Sequence, residues 1–215
     1  KGLGIIFIHG LNSDMNGNKA LTIERYARKN KLNFIRFDCR GHGKSEGKFE
    51  EFTISDWRKD LLDIIDNLAK GPQILIGSSM GGWLMMLASK ARPKRIKGMI
   101  GLAAAPDFGK DLYNVLNKKN KKEINTKGIT KYMSYGFPFY LTKKFFIEAE
   151  KNRVLIKKFR YTKSLVLIHG LKDNVVKEDV PRKILKKVTG KNVNIIYLKE
   201  SDHRLSSDTD LKIIT

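Results

Sequence analysis

The chain has 215 residues, enough for one domain with a sizeable buried core, and 41% of them are hydrophobic, which excludes a disordered chain. No apolar run approaches the roughly 18 residues needed to span a bilayer, so stable membrane insertion is excluded as an expectation. A single cysteine, Cys39, excludes an internal disulfide framework, and 43 basic residues against 22 acidic ones give a formal net charge of +21.

The lone cysteine suits a reducing, cytoplasmic setting, with an organellar matrix as the variant of that expectation. The positive balance suits anionic partners in general. Yet 32 of the 43 basic residues are Lys, a bias read mainly as compositional drift, so no nucleic-acid partner is expected. The surplus is uneven. Between Phe108 and Lys163 lie 15 basic and 4 acidic residues.

In chain order, the start reads directly as a strand from Gly4 to Ile8, with no secretory signal pattern before it. The loop His9-Gly10-Leu11-Asn12 follows. A second β-rich run spans Asn33 to Phe37. Ser55 to Leu68 carries a stripe of Trp57, Leu61, Leu62, Ile64, Ile65 and Leu68, the pattern of an amphipathic helix lying on a sheet. Gln73 to Ile76 is again a strand, followed by Gly77-Ser78-Ser79-Met80-Gly81-Gly82 and a helical pattern through Ala91. Ile96 to Leu102 is the fourth strand.

From Pro106 to about Thr162 the alternation of strand and helix stops. The sequence offers no convincing strand there, only a basic helix near Lys110 to Lys122, a Gly/Pro/aromatic patch from Tyr132 to Tyr140, and an amphipathic helix at Lys143 to Lys157. Leu165 to Ile168 and Val193 to Leu198 complete the strands, and Val180 to Val188 the helices, with Pro181 at a helix start. Strands this apolar suit a parallel sheet buried on both faces. The expected fold is therefore α/β, a three-layer α/β/α sandwich with a mostly parallel sheet. Residues 1–105 and 163–215 form its core, and 106–162 a helical cap insertion over the sheet edge where ligands bind.

The chemistry concentrates at Gly77 to Gly82. A G-x-S-x-G pattern between strand and helix marks a sharp turn that presents a serine above the sheet. Ser79 sits at its centre; Ser78 does not. A serine hydroxyl needs a base, and the four candidates are His9, His42, His169 and His203. Only the last two follow Ser79. His169 ends a strand beside a glycine and reads as a turn anchor, while His203 lies in a loop after the last strand. The acid is expected at Asp173, after the Leu165 to Ile168 strand, with Asp107 as the alternative and Asp202 too close to His203 to orient it. Two backbone N–H groups should form the oxyanion hole, from Met80 and Leu11. His9 is expected to hold the Leu11 loop by hydrogen bonds.

These motifs resemble the α/β-hydrolase superfamily. Phe7-Ile8-His9-Gly10, Phe37 to Ser45, Gly77 to Gly82 and His169 to Val176 occur in that family's order and spacing. Trp57-Arg58-Lys59-Asp60, Gly71 to Met85, Met15-Asn16-Gly17 and Ser201-Asp202-His203-Arg204 are similar to its mitochondrial palmitoyl-protein thioesterase and acyl-glucuronide esterase branch. The resemblance implies hydrolysis of an S-acyl or O-acyl bond without metal or organic cofactor, with Ser79, Asp173 and His203 as the triad. The family usually carries an antiparallel hairpin before the first strand seen here and a full helix after the catalytic histidine, and in both this sequence departs from it. Substrates would be small molecules or acylated proteins, anionic ones included. The alternatives are a serine peptidase or amidase of the same fold, or a non-catalytic binder of anionic surfaces through the basic cap. Tyr132, Met133, Tyr135, Phe137, Phe139 and Tyr140 either line an acyl pocket or form the cap's own small core.

Overall fold

Strands without polar alternation have two faces to bury, and alternate side chains here enter two different cores. The computed structural model describes residues 2–134 and 137–215. In chain order it forms β1 (Gly4–Ile8), α1 (Asn18–Lys29), β2 (Asn33–Arg36), α2 (Ile54–Asp63), β3 (Gln73–Ser78), α3 (Met80–Ala91), β4 (Ile96–Leu102), α4 (Gly109–Val115) and α5 (Lys118–Lys127). There follow β5 (Ile129–Ser134), β6 (Phe137–Thr142), α6 (Lys143–Lys151), β7 (Ser164–Gly170), α7 (Val180–Lys187), β8 (Val193–Leu198) and α8 (Asp208–Ile214).

Six strands pair in the order β2-β1-β3-β4-β7-β8, every pairing parallel. Along β1 the two-residue period is visible. Ile6 and Ile8 pack with Trp57, Leu61, Trp83, Leu84 and Ile184, from α2, α3 and α7. Ile5 and Phe7 pack with Ala20, Ile23 and Ala27 of α1, and with Leu205, on the opposite face. The expected three-layer sandwich is thus what the chain adopts.

Two helices differ from expectation for identifiable reasons. The Ser55 to Leu68 stripe is α2 followed by a π-helical turn at Ile64–Leu68, closed by Ala69 N–H donating to the Ile64 carbonyl at 2.9 Å. That wider turn shifts the phase, so Trp57, Leu61 and Ile65 are fully buried while Leu68 is 62% exposed. The basic helix foreseen at Lys110 to Lys122 is two helices. Asn117 interrupts it by capping α5, its side chain accepting from Asn120 N–H at 2.8 Å.

The 106–162 segment is not wholly helical. β5 and β6 form an antiparallel hairpin, with Tyr132 opposite Phe139 and Thr130 opposite Leu141. No strand was foreseen there, because Pro138 breaks the local pattern and the hairpin is fixed by tertiary packing. Phe139 is buried edge-on against Phe49 at 5.4 Å and meets Tyr132 at the same spacing. Of the aromatic patch, Tyr132 and Phe139 therefore belong to the molecule's own packing, whereas Met133 and Tyr140 point outward. Tyr135 lies outside the described residues, as does the side chain of Phe137.

The amphipathic helix foreseen to Lys157 ends at Lys151. Beyond it, Val154 N–H and Leu155 N–H donate to the Asp107 carboxylate at 2.7 and 2.8 Å instead of continuing a helical ladder. α6 docks on the sheet's helices through polar contacts. Ser55 donates to Glu148 at 2.6 Å, Asn152 donates to Ser55 at 2.8 Å, and Trp83 Nε1 donates to the Asn152 carbonyl at 3.0 Å.

Candidate active site

β3 ends at Ser78 and α3 begins at Met80, so Ser79 alone makes the turn between them. Its backbone sits at φ 51° and ψ −115°, a region that costs a non-glycine residue roughly 1–3 kcal/mol. The surroundings hold it there. Ser79 N–H donates to the Leu102 carbonyl at 2.9 Å, and its own carbonyl accepts from Gly82 N–H and Ala105 N–H at 2.9 and 3.0 Å.

The flanking glycines have no room for a side chain. A Cβ at Gly77 would lie 2.3 Å from the Gly81 carbonyl oxygen, and one at Gly81 would lie 2.2 Å from that of Ile8. Met80 opens α3, where the first N–H groups lack intrahelical acceptors and the helix dipole favours negative charge.

Three residues from distant parts of the chain converge on this turn. His203 Nε2 lies 3.1 Å from Ser79 Oγ, and His203 Nδ1 lies 2.8 Å from Asp173 Oδ2. The Asp173 side chain is fully buried, and its other oxygen accepts from Val175 N–H and Val176 N–H, both at 2.8 Å. Burial pushes the carboxyl up. Hydrogen bonds from His203, Val176 and Val175 outweigh that and hold it below the ordinary aspartate value. An ionised Asp173 fixes the proton of a neutral imidazole on Nδ1 and leaves Nε2 free to accept from the serine hydroxyl.

The other candidates are occupied elsewhere. His169 is buried, with Nε2 3.1 Å from the Val176 carbonyl, and so pins the turn that carries Asp173. Asp107 spends both oxygens on Val154 and Leu155, and burial raises its pKa above the ordinary carboxyl value. Asp202 accepts from Arg204 N–H at 2.9 Å, a local turn bond.

The loop after β1 reaches the same point. A Cβ on Gly10 would stand 3.2 Å from Ser79 Cβ and 3.8 Å from its Oγ, so the backbone leading into Leu11 passes against the serine. His9 braces this loop, its Nε2 accepting from Cys39 N–H at 3.0 Å and its Nδ1 2.7 Å from the Gly10 carbonyl. Burial lowers its pKa. His42 lies beside it, tilted, with ring centroids 4.9 Å apart, and desolvation lowers its pKa to about 4. Cys39 is buried and its thiol pKa raised by desolvation, which makes it a poor nucleophile.

Sequence reasoning missed Lys19. Its ammonium donates to the carbonyl of Arg204, the residue after His203, and borders a cavity of about 220 Å³ lined also by His9, Gly10 and Ser78. A bond across 185 positions of sequence leaves no local signal. Among the described residues no group of three or more His, Cys, Asp or Glu side chains could hold a metal ion.

Residues 3–134 match the family model described as serine aminopeptidase, S33 (Hydrolase_4). The mitochondrial palmitoyl-protein thioesterase ABHD10 of Homo sapiens is 41% identical over 218 aligned positions, which cover 100% of this chain and 71% of that protein. The chain belongs to the α/β-hydrolase superfamily.

Solved α/β-hydrolases superimpose on it closely. Alpha/beta hydrolase domain-containing protein 10 from mouse aligns with a TM-score of 0.90 and 39% identity, over 98% of this chain and 86% of that one. A hydrolase of Agrobacterium vitis S4 aligns with a TM-score of 0.93 and 31% identity, over 99% and 85%. As an α/β-hydrolase this chain is a hydrolytic enzyme. Its curated relatives named ABHD10 are mitochondrial. That disagrees with the cytoplasmic setting expected from composition and agrees with its organellar variant. Among the described residues no helix is long and apolar enough to cross a membrane.

Proposed function

We propose that this α/β-hydrolase cleaves a carboxylic ester or thioester of an acyl chain, with Ser79 as nucleophile, His203 as base and Asp173 as its orienting acid. The observation that carries the reading is the unbroken relay of 3.1 and 2.8 Å from Ser79 through His203 to Asp173. It begins on a serine held in a strained turn.

As Ser79 Oγ attacks the acyl carbonyl, its proton passes to His203 Nε2, and the imidazolium is stabilised by the Asp173 carboxylate. The tetrahedral oxyanion is held by the N–H groups of Met80 and Leu11, of which Met80 adds the positive end of α3. His203 then returns the proton to the departing alkoxide or thiolate, leaving an acyl-enzyme on Ser79. Water, deprotonated by the same histidine, releases the acid. The 106–162 segment acts as a cap that sets which acyl groups enter. Its inward aromatic cluster bears on that choice.

Relatives support an acyl substrate, being named palmitoyl-protein thioesterases. The family description, a serine aminopeptidase, favours a second reading in which the same relay cleaves a small amide or peptide. Both readings are tested by p-nitrophenyl esters from acetate to palmitate, an S-palmitoyl peptide and aminoacyl amides, each with wild type and Ser79→Ala. Ester or thioester turnover lost in Ser79→Ala is the expected result. Turnover of amides alone would replace it with the peptidase reading, and equal activity in both proteins would overturn the role of Ser79.

A further inference from the structure

We propose that the outer face of the β5–β6 hairpin, with the lysines flanking it, docks this protein on an anionic lipid bilayer. The register divides the hairpin cleanly. Thr130, Phe139 and Leu141 are buried, and Tyr132 half-buried, against the rest of the molecule. The alternate positions Lys131, Met133, Pro138 and Tyr140 are exposed, with Lys131 paired to Tyr140 and Met133 to Pro138. Met133 is 55% and Tyr140 42% exposed. This two-stranded sheet carries no covering layer on that side among the described residues.

Among the described residues the charges around this face form no salt bridge. α5 lies along β5, where Asn120 donates to Thr130 Oγ1 and to the Lys131 carbonyl at 2.8 and 3.0 Å. It exposes Lys118, Lys119, Lys122 and Lys127. At the far end of β6, Lys143 and Lys144 are exposed at the start of α6. None of these six, nor Lys131, has a carboxylate within salt-bridge reach among the described residues. Three of the segment's carboxylates have other partners: Glu123 accepts from Thr130, Glu148 pairs with Lys151 and Glu150 with Arg153.

An exposed Met–Pro–Tyr ridge ringed by unpaired lysines matches an interface whose inner part is apolar and whose surface is anionic. The ridge enters the headgroup region, the tyrosine ring lies at its polar boundary, and the lysine stems lie along apolar surface with their ammonium groups at phosphates. Nucleic acid fits less well. All seven cations are lysines, without the planar forks that read phosphate or guanine bidentately, and among the described residues the face offers only Tyr140 as a stacking platform.

The surface is independent of the hydrolytic reading, so the full chain carrying Ser79→Ala is a suitable probe. Flotation with vesicles of phosphatidylcholine alone, and of phosphatidylcholine mixed with phosphatidylglycerol, reads the partition. Binding to the mixed vesicles only, falling as salt rises, is expected. Lys118→Glu, Lys119→Glu and Lys122→Glu together should weaken it about a hundredfold. Met133→Ser with Tyr140→Ser should also abolish flotation, while the otherwise wild-type enzyme with those two changes hydrolyses a short water-soluble ester at the normal rate. Equal partition into both vesicle types, or unchanged flotation of either variant, would overturn the proposal. So would lysine-dependent binding to a duplex oligonucleotide with no flotation, which would make the surface a nucleic-acid site.

Discussion

The carboxyl edge of the sheet around Ser79 and the 106–162 segment are built on opposite terms. At the edge nearly every position is dictated by a close backbone neighbour. Gly77 and Gly81 leave no room for a side chain, a Cβ on Gly10 would press on Ser79, and the Ser79 backbone is held by three hydrogen bonds. In the segment a few anchors, Phe139 on Phe49, Trp83 on Asn152 and Asp107 on the chain after α6, carry long exposed stretches of lysine. The difference separates two kinds of tolerance. Under the proposed function, the chemistry would reside where substitution is most tightly restricted, and recognition where most positions are free to change.

The comparison breaks most sharply at Ser79. Ser79→Ala should cut turnover by about 10⁶, measured by ester hydrolysis, with folding intact by circular dichroism. Two aspartates that each follow a sheet strand then set the regions against each other. Asp173→Asn should lower kcat by about 10⁴, because the imidazole loses its orienting charge. Asp107→Asn should leave kcat within a fewfold of wild type and lower stability by about 1–3 kcal/mol, by weakening its bonds to Val154 and Leu155. A large loss of kcat in Asp107→Asn would move the acid out of the sheet edge.

Smaller effects sharpen the picture. Phe139→Ala should destabilise the protein by about 3 kcal/mol in urea titration, and should alter chain-length preference more than turnover of acetate esters. The His42 prediction concerns pH. Its folded pKa of about 4 lies below its ordinary 6.5, so the unfolded state binds its proton first as pH falls. Its contribution is complete above pH 6.5 and is lost as pH drops towards 4, about 3 kcal/mol in total. Urea midpoints at neutral and acidic pH should therefore converge in His42→Gln relative to wild type. An unchanged gap would show that other groups govern acid stability.

Much of the edge was legible because its signals are local. The β3–turn–α3 pattern exposes Ser79, and Asp173 and His203 each stand in the turn or loop after a strand, so chain order and strand spacing led to the residues that meet in space. The segment was not legible for the opposite reason. β5 and β6 contain Lys131 and Pro138, poor strand formers, and hold their register because Phe139 finds Phe49 far back in the chain. The lysines of the foreseen 110–122 helix favour helix throughout, and the break comes from one capping side chain at Asn117. Lys19 could not have been singled out, since its partner is a main-chain carbonyl whose identity no side chain announces.

The relay spans 124 residues between Ser79 and His203, and in the proposed mechanism this spacing would govern when the enzyme can first act. During synthesis the serine, its glycine turn and the β1 loop emerge well before the strands β7 and β8. β7 can join β4, and β8 can then join β7, only after the chain has closed the long 106–162 excursion. In the proposed mechanism the serine has no base until His203 arrives, so a growing chain would present the turn without its reactivity. On that proposal the enzyme would stay silent through most of its own assembly.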